Sequence, residues 1–109
     1  MAHPAPETKE WKARQNLMPG PSQPKLIVIG KVQTSNTNQT PHLGETVPQG
    51  INPAILLLDL TITASGVGNT VMGWRDVRFE KPIRKDQYSS IEILWNGKKV
   101  GSAEVEDVH

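Results

Sequence analysis

The chain has 109 residues, with 12 lysines and arginines, 11 acidic residues and no cysteine. This length predicts one domain with a modest core. The net charge of +1 gives no strong attraction to nucleic acid or to an anionic membrane. The lack of cysteine excludes disulfide scaffolds and thiol chemistry. No apolar run approaches the roughly 18 residues that a membrane helix needs, so we expect no membrane partner.

The first 24 residues differ in composition from the rest of the chain. They contain five of the nine prolines, and proline fixes φ and removes a backbone donor. We therefore predict a Pro-rich N-terminal arm over residues 1–24, mobile or docked, with neither a long helix nor a central strand. Within it, residues 7–18 could form a short helix if the arm docks on the domain. Trp11 and Met18 are the candidate anchors of this arm. Because the chain does not begin with a signal peptide, the default expectation is a cytoplasmic location.

Residues 25–109 are predicted to form a single domain made of strands. Apolar alternation and β-branched composition predict five of them, at 25–33, 54–63, 70–80, 88–95 and 98–108. In the second, Leu56, Leu58, Leu60 and Ile62 fall on one face at period two, with polar side chains between them. The first is apolar on both faces, and the arm is the predicted cover of its outer face.

Three local features refine this description. Asn96-Gly97 supplies two residues that tolerate positive φ, which predicts a type I′ hairpin turn. The large apolar side chains switch from even-numbered to odd-numbered positions between Trp74 and Val77. This predicts a β-bulge near 73–75, unless Trp74 packs on the outer face. The stretch 34–53 lacks periodicity, so either a short strand lies near 42–47 or this loop is functional.

Strands without intervening helices predict an all-β fold. The expected architecture is a small antiparallel β-sandwich that is immunoglobulin-like in general outline, judged by strand length and the terminal hairpin. The Cys…Trp…Cys framework of true immunoglobulin domains is missing. A likeness of this kind concerns the fold and carries no function.

The sequence contains no catalytic or metal-binding motif. Its three histidines lack metal-ligand spacing, and no phosphate loop or nucleophile motif occurs, so we predict a non-enzymatic protein without a cofactor. The candidate binding surface consists of aromatic, basic and polar side chains: Trp74, Arg75, Arg78, Tyr88, Trp95, Asn36, Asn38 and His42. The segment 75–86 is basic, but its interleaved acids and the few aromatic residues weigh against nucleic acid as a partner.

Three functions follow as hypotheses. The first is a non-catalytic module that binds a protein partner through loops and strand edges. The second is a structural or assembly subunit, in which the arm docks on a neighbouring copy with Trp11 as its anchor. The third is a carbohydrate or small-ligand binder that stacks its ligand on Trp74, Trp95 and Tyr88.

Overall fold

The computed structural model of the protein describes residues 6–16, 24–47, 49–84 and 87–108. These residues form seven strands: β1 (Thr8–Asn16), β2 (Lys25–Thr34), β3 (Gln39–Glu45), β4 (Ile55–Ala64), β5 (Gly73–Pro82), β6 (Ser90–Trp95) and β7 (Lys98–Val108). The predicted all-β class is confirmed. The predicted strands correspond to β2, β4, β5, β6 and β7, and the short strand suspected near 42–47 is β3.

The strands form one mixed sheet in the order β3-β4-β6-β7-β1-β2-β5. Strand β7 joins the two halves of this sheet, because residues 98–104 pair with β6 and residues 105–108 pair with β1. The edge strands β3 and β5 approach one another, so the sheet curls until it nearly closes into a barrel.

The predicted antiparallel pairing is wrong for part of the sheet. Of the six pairings between the described strands, β1 with β7 and β4 with β6 are parallel. The chain reaches β6 from β4 by way of β5, which lies at the far edge. The immunoglobulin-like sandwich is not confirmed either, since a single curled sheet surrounds the core. Alternation identifies strands but not their order, and this is why the prediction failed here.

Strand β1 replaces the helix predicted at 7–18, and that prediction is wrong. Residues 8–16 pair with β2 on one side and with β7 on the other, so they form a central strand. The prolines of this region flank 8–16 and do not interrupt it, so every backbone N–H of the strand remains available. The sequence predicted that the arm covers the outer face of β2. Strand β1 instead lies beside β2 in the sheet, so this prediction is wrong. Met18 lies outside the described residues.

The core is formed by the apolar side chains on the inner face of the sheet. Its buried members are Ala13, Leu26, Val28, Val32, Leu56, Leu58, Leu60, Val77, Ile83, Ile91 and Ile93. The two-face pattern predicted for 54–63 is therefore present in β4, where Thr61 is exposed and Ile62 packs partly against the core. Asp59 lies on the outer face, where its carboxylate accepts a hydrogen bond of 2.9 Å from the Thr46 hydroxyl.

Trp11 packs against this core between two glycines. A β-bulge in β1 places two residues, Glu10 and Trp11, opposite the single residue Gly30 of β2, and Glu10 adopts a φ of 57°. The bulge turns the indole inward, where a Cβ on Gly30 or on Gly101 would overlap opposite ends of the ring. The indole N–H donates to the Thr8 hydroxyl at 2.9 Å. Trp11 thus fixes β1 to the strands on both sides of it.

Strand β5 contains no bulge near 73–75, so that prediction is wrong. It pairs with β2 in unbroken register from Gly73 to Pro82. Trp74 faces outward, as in the alternative interpretation, and the Lys9 ammonium lies 4.2 Å from the centroid of its ring. The terminal hairpin is confirmed, with positive φ at Asn96 (49°) and Gly97 (82°).

A candidate interaction surface at one end of the barrel

Two connections and the start of β5 meet at one end of the barrel. The turn 35–38 joins β2 to β3, and the loop 65–72 joins β4 to β5. Because β3 pairs with β4 so that Gln39 lies opposite Ala64, these two connections emerge side by side. We call the turn, the loop and residues 73–75 together the loop end.

Hydrogen bonds hold the loop against the turn. The Thr37 N–H donates to the Asn69 carbonyl at 2.9 Å, and the Asn69 N–H donates to the Thr37 hydroxyl at 2.9 Å. The side-chain amide of Asn38 donates to the Gly66 carbonyl at 3.1 Å. On the other side, the Arg75 guanidinium donates to the Thr37 carbonyl at 3.0 Å. The loop is therefore positioned by several independent contacts.

The braced loop exposes large apolar side chains. Val67 is fully exposed, Met72 and Val71 are 66% and 55% exposed, and Trp74 on the adjoining strand is 38% exposed. Single exposed apolar residues are common on protein surfaces, but four within eight consecutive residues concentrate exposed apolar area at this end of the barrel. We call these four side chains the apolar tip.

Four of the eight predicted surface residues lie at the loop end: Asn36, Asn38, Trp74 and Arg75. Asn36 contributes its backbone N–H, which donates to the Gln39 side chain at 3.0 Å. Asn38 holds the loop against the turn, and Arg75 holds the start of β5 against the turn. The Asn38 Oδ1 is buried beside Gly68 and has no hydrogen-bond partner among the described residues. These polar side chains support the apolar tip.

Arg78 and His42 lie on strands away from the loop end. Arg78 is farther along β5, where its guanidinium pairs with Glu80 at 3.1 Å. This hydrogen bond lowers the pKa of the exposed Glu80 carboxyl. On β3, the His42 Nε2 lies 3.0 Å from the Thr63 hydroxyl oxygen. Neither side chain joins the other predicted residues.

The three aromatic residues predicted as a stacking surface are separated. Tyr88 and Trp95 pack partly against the core, whereas Trp74 lies on the outer face of β5. The Tyr88 hydroxyl accepts a hydrogen bond of 3.0 Å from the Lys81 ammonium. A ligand ring could not contact all three aromatic side chains at once.

Two further features concern metals and membranes. Within the part of the chain that the structure describes, no group of three or more His, Asp or Glu side chains is placed to hold a metal ion. The same residues include no helix of the length and apolarity needed to cross a membrane.

Sequence reasoning missed the three most exposed members of the apolar tip. Val71 and Met72 fell inside the predicted strand 70–80, in which apolar side chains were expected to face the core, and Val67 fell in a turn. The available signal was their position between Gly66 and Gly73, because apolar residues in a glycine-containing connection are not part of a strand face.

The sequence matches no protein-family model, and comparison with curated proteins and with solved structures found no significant match.

Proposed function

We propose that the protein is a non-catalytic interaction module that binds a partner protein through its loop end. The observation that carries this proposal is the apolar tip on a loop held by hydrogen bonds. Because the loop is positioned before binding, association loses little conformational entropy there. Complete burial of one such apolar side chain is worth about 1.5–3 kcal/mol. Val67, Val71 and Met72 together could therefore supply most of the affinity of a transient complex.

The two alternative functions have weaker support. Assembly through the arm requires the arm to leave its own domain, but residues 8–16 pair within their own sheet. Ligand stacking requires several free aromatic faces, but Tyr88 and Trp95 pack partly against the core and Trp74 lies under the Lys9 ammonium.

Site-specific photo-crosslinking in the native cell tests the proposal. A photoreactive phenylalanine analogue replaces Met72 in one variant and Ile51 in a matched control. Ile51 is fully exposed on the connection at the opposite end of β3 and β4. We expect one defined crosslinked protein from position 72 and none from position 51. Added wild-type protein should suppress this product, whereas the Val71→Ser/Met72→Ser variant should not.

Identical products from both positions would contradict the proposal, as would competition by the double variant that equals the wild type. A crosslinked homodimer from position 72 would contradict the proposal of a different partner protein, because it would place a second copy of the chain at the loop end. Thermal unfolding of the double variant should match that of the wild type, because both substituted side chains are exposed.

A further inference from the structure

A second surface, separate from the loop end, lies on the outer face of β1, β2 and β5. Ile27 and Ile29 form a half-buried aliphatic strip along β2. Residues paired opposite one another share a face, so Arg14 flanks Ile27, and Lys12 and Arg78 flank Ile29 from the two neighbouring strands. The β1 edge of the strip is therefore basic, whereas on the β5 edge Arg78 lies between Asp76 and Glu80, with Glu80 opposite Ile27.

Charge on this face is predominantly positive. Its six basic side chains are Lys9, Lys12, Arg14, Lys25, Lys31 and Arg78, and its three acidic ones are Glu10, Asp76 and Glu80. Lys31 pairs with Asp76 at 2.9 Å and Arg78 pairs with Glu80. No ion pair among the described residues involves Lys12, Arg14 or Lys25. Six of the 12 lysines and arginines lie on this face, and Glu106 on β7 lies opposite Arg14 at its border.

The other half of the barrel has the opposite character. Outward positions of β4, β6 and β7 carry Asp59, Glu92 and Glu104, with Lys99 paired to Glu92 at 3.4 Å. Opposite charge on the two halves orients a charged partner before contact, and this steering mainly raises the association rate.

A groove crosses the positive face. It has a volume of about 520 Å³ and is lined by Glu10, Lys12, Ile29, Lys31, Asp76 and Arg78. The hydrogen bond that the Lys31 ammonium donates to the Asp76 carboxylate raises the pKa of Lys31. The face thus combines an aliphatic strip, a concave surface and three basic side chains, Lys12, Arg14 and Lys25, that form no ion pair within the described part of the chain.

We propose that this face docks an acidic amphipathic helix of a partner protein, with the apolar stripe of the helix on Ile27 and Ile29. The carboxylates of the helix would lie along one flank only, where they would face Lys12 and Arg14 on the β1 edge. The dimensions agree, since a helix is about 10 Å across and three strands spaced about 4.8 Å apart span about 10 Å. Binding of a helix along an apolar groove is a common mode of peptide recognition.

The chemistry of the face favours a peptide over nucleic acid. Glu10, Asp76 and Glu80 lie among the basic side chains and would repel an evenly charged phosphate backbone, whereas a helix can confine its carboxylates to the flank that faces Lys12 and Arg14. Trp74 is the one aromatic ring among the described outer positions of these strands, and the Lys9 ammonium covers it. Base stacking therefore has no open platform, whereas the aliphatic strip fits leucine or valine side chains.

The inference is tested by titrating isotope-labelled full-length protein with a synthetic helix of about 18 residues that has leucine on one face, glutamate along one flank of that face and glutamine elsewhere. We expect saturable shifts of the Lys12, Ile27 and Ile29 amide signals. Lys12→Glu/Arg14→Glu should weaken binding about ten-fold or more. The control Lys98→Glu/Lys99→Glu, which changes charge equally on the other half, should bind like the wild type. Affinity should fall as salt rises from about 50 to 300 mM.

Three comparison ligands decide the chemistry. A peptide with lysine for glutamate should not bind, and a peptide with serine for leucine should bind much more weakly. Equal binding of either peptide, stronger binding of a thymidine oligonucleotide, or no binding of the glutamate peptide would overturn the inference. If the charge-reversed protein does not fold, Lys12→Gln/Arg14→Gln takes its place. Crosslinking at position 72 is unaffected by any of these results, so the two proposals can fail separately.

Discussion

Glu10 is the residue on which the bulge in β1 depends. Its φ of 57° is in the left-handed region, which costs a residue with a Cβ about 1–2 kcal/mol. The bulge offsets this cost because it turns the large indole of Trp11 toward the core. Glycine adopts this backbone conformation without strain. Glu10 also lines the groove on the positive face.

We therefore expect Glu10→Gly to stabilise the protein by about 1 kcal/mol. The measurement is the free energy of unfolding in urea. Lys12→Gly is the matched control, because Lys12 lies in the same strand and does not have a positive φ. This variant should be less stable than the wild type by about 0.5–1 kcal/mol. Equal destabilisation by both substitutions would mean that the positive φ of Glu10 stores no strain.

At the scale of elements, β1 is held in the sheet by the fit of one side chain between its neighbours. Trp11 lies against Gly30 on β2 and Gly101 on β7, so the three strands are joined by packing as well as by their hydrogen bonds. The Thr8 hydroxyl accepts the indole N–H and donates to the Val100 carbonyl at 3.0 Å, so the polar edge of the ring is satisfied.

Gly30→Ala should destabilise the protein by about 1–3 kcal/mol, because the new methyl group overlaps the Trp11 ring. Gly44→Ala on β3 is the control: its Cβ would meet no heavy atom within 4 Å, and we expect a change below about 0.5 kcal/mol. Chemical unfolding of both variants gives the comparison. In a Trp11→Leu background, Gly30→Ala should lower the free energy of unfolding by less than it does in the wild type. If the effects of the two substitutions are additive, the ring is not the cause of the destabilisation.

At the scale of the whole molecule, the barrel is closed at its seam by side chains. The Lys81 ammonium on β5 contacts the Glu45 carboxylate on β3 and donates to the Tyr88 hydroxyl. The hydrogen bond to Glu45, followed by that to Tyr88, raises the pKa of Lys81 above its usual 10.5. This group links the two edge strands that lack a shared hydrogen-bond ladder.

Lys81→Met should lower stability by about 0.5–1 kcal/mol at neutral pH. A pKa raised on folding means that the folded state favours the ammonium, so the stabilisation is complete below pH 10.5. As pH rises through the raised pKa, the difference between wild type and variant should vanish. Urea unfolding from pH 7 upward measures this, with Lys98→Met on the exposed hairpin as the control. A difference that persists in strong alkali would assign the effect to packing.

The candidate site was only partly predictable. Asn36, Asn38, Trp74 and Arg75 were selected as isolated polar or aromatic residues, and they do converge at the loop end. Their convergence depends on β3 pairing with β4 and on β5 pairing with β2, which are contacts between distant segments. Without those contacts, nothing in the sequence distinguishes these residues from Arg78, which lies apart from them.

The sequence by itself determined the all-β class, the Asn96-Gly97 turn and the buried face of β4. Each of these follows from local rules, because side chains alternate along a strand and positive φ favours particular residues. Tertiary structure alone decided the order of the strands, the two parallel pairings and the place of β1 at the centre of the sheet. Residues 8–16 lack a strong apolar alternation, so their strand conformation comes from hydrogen bonds to β2 and β7 and from the burial of Trp11.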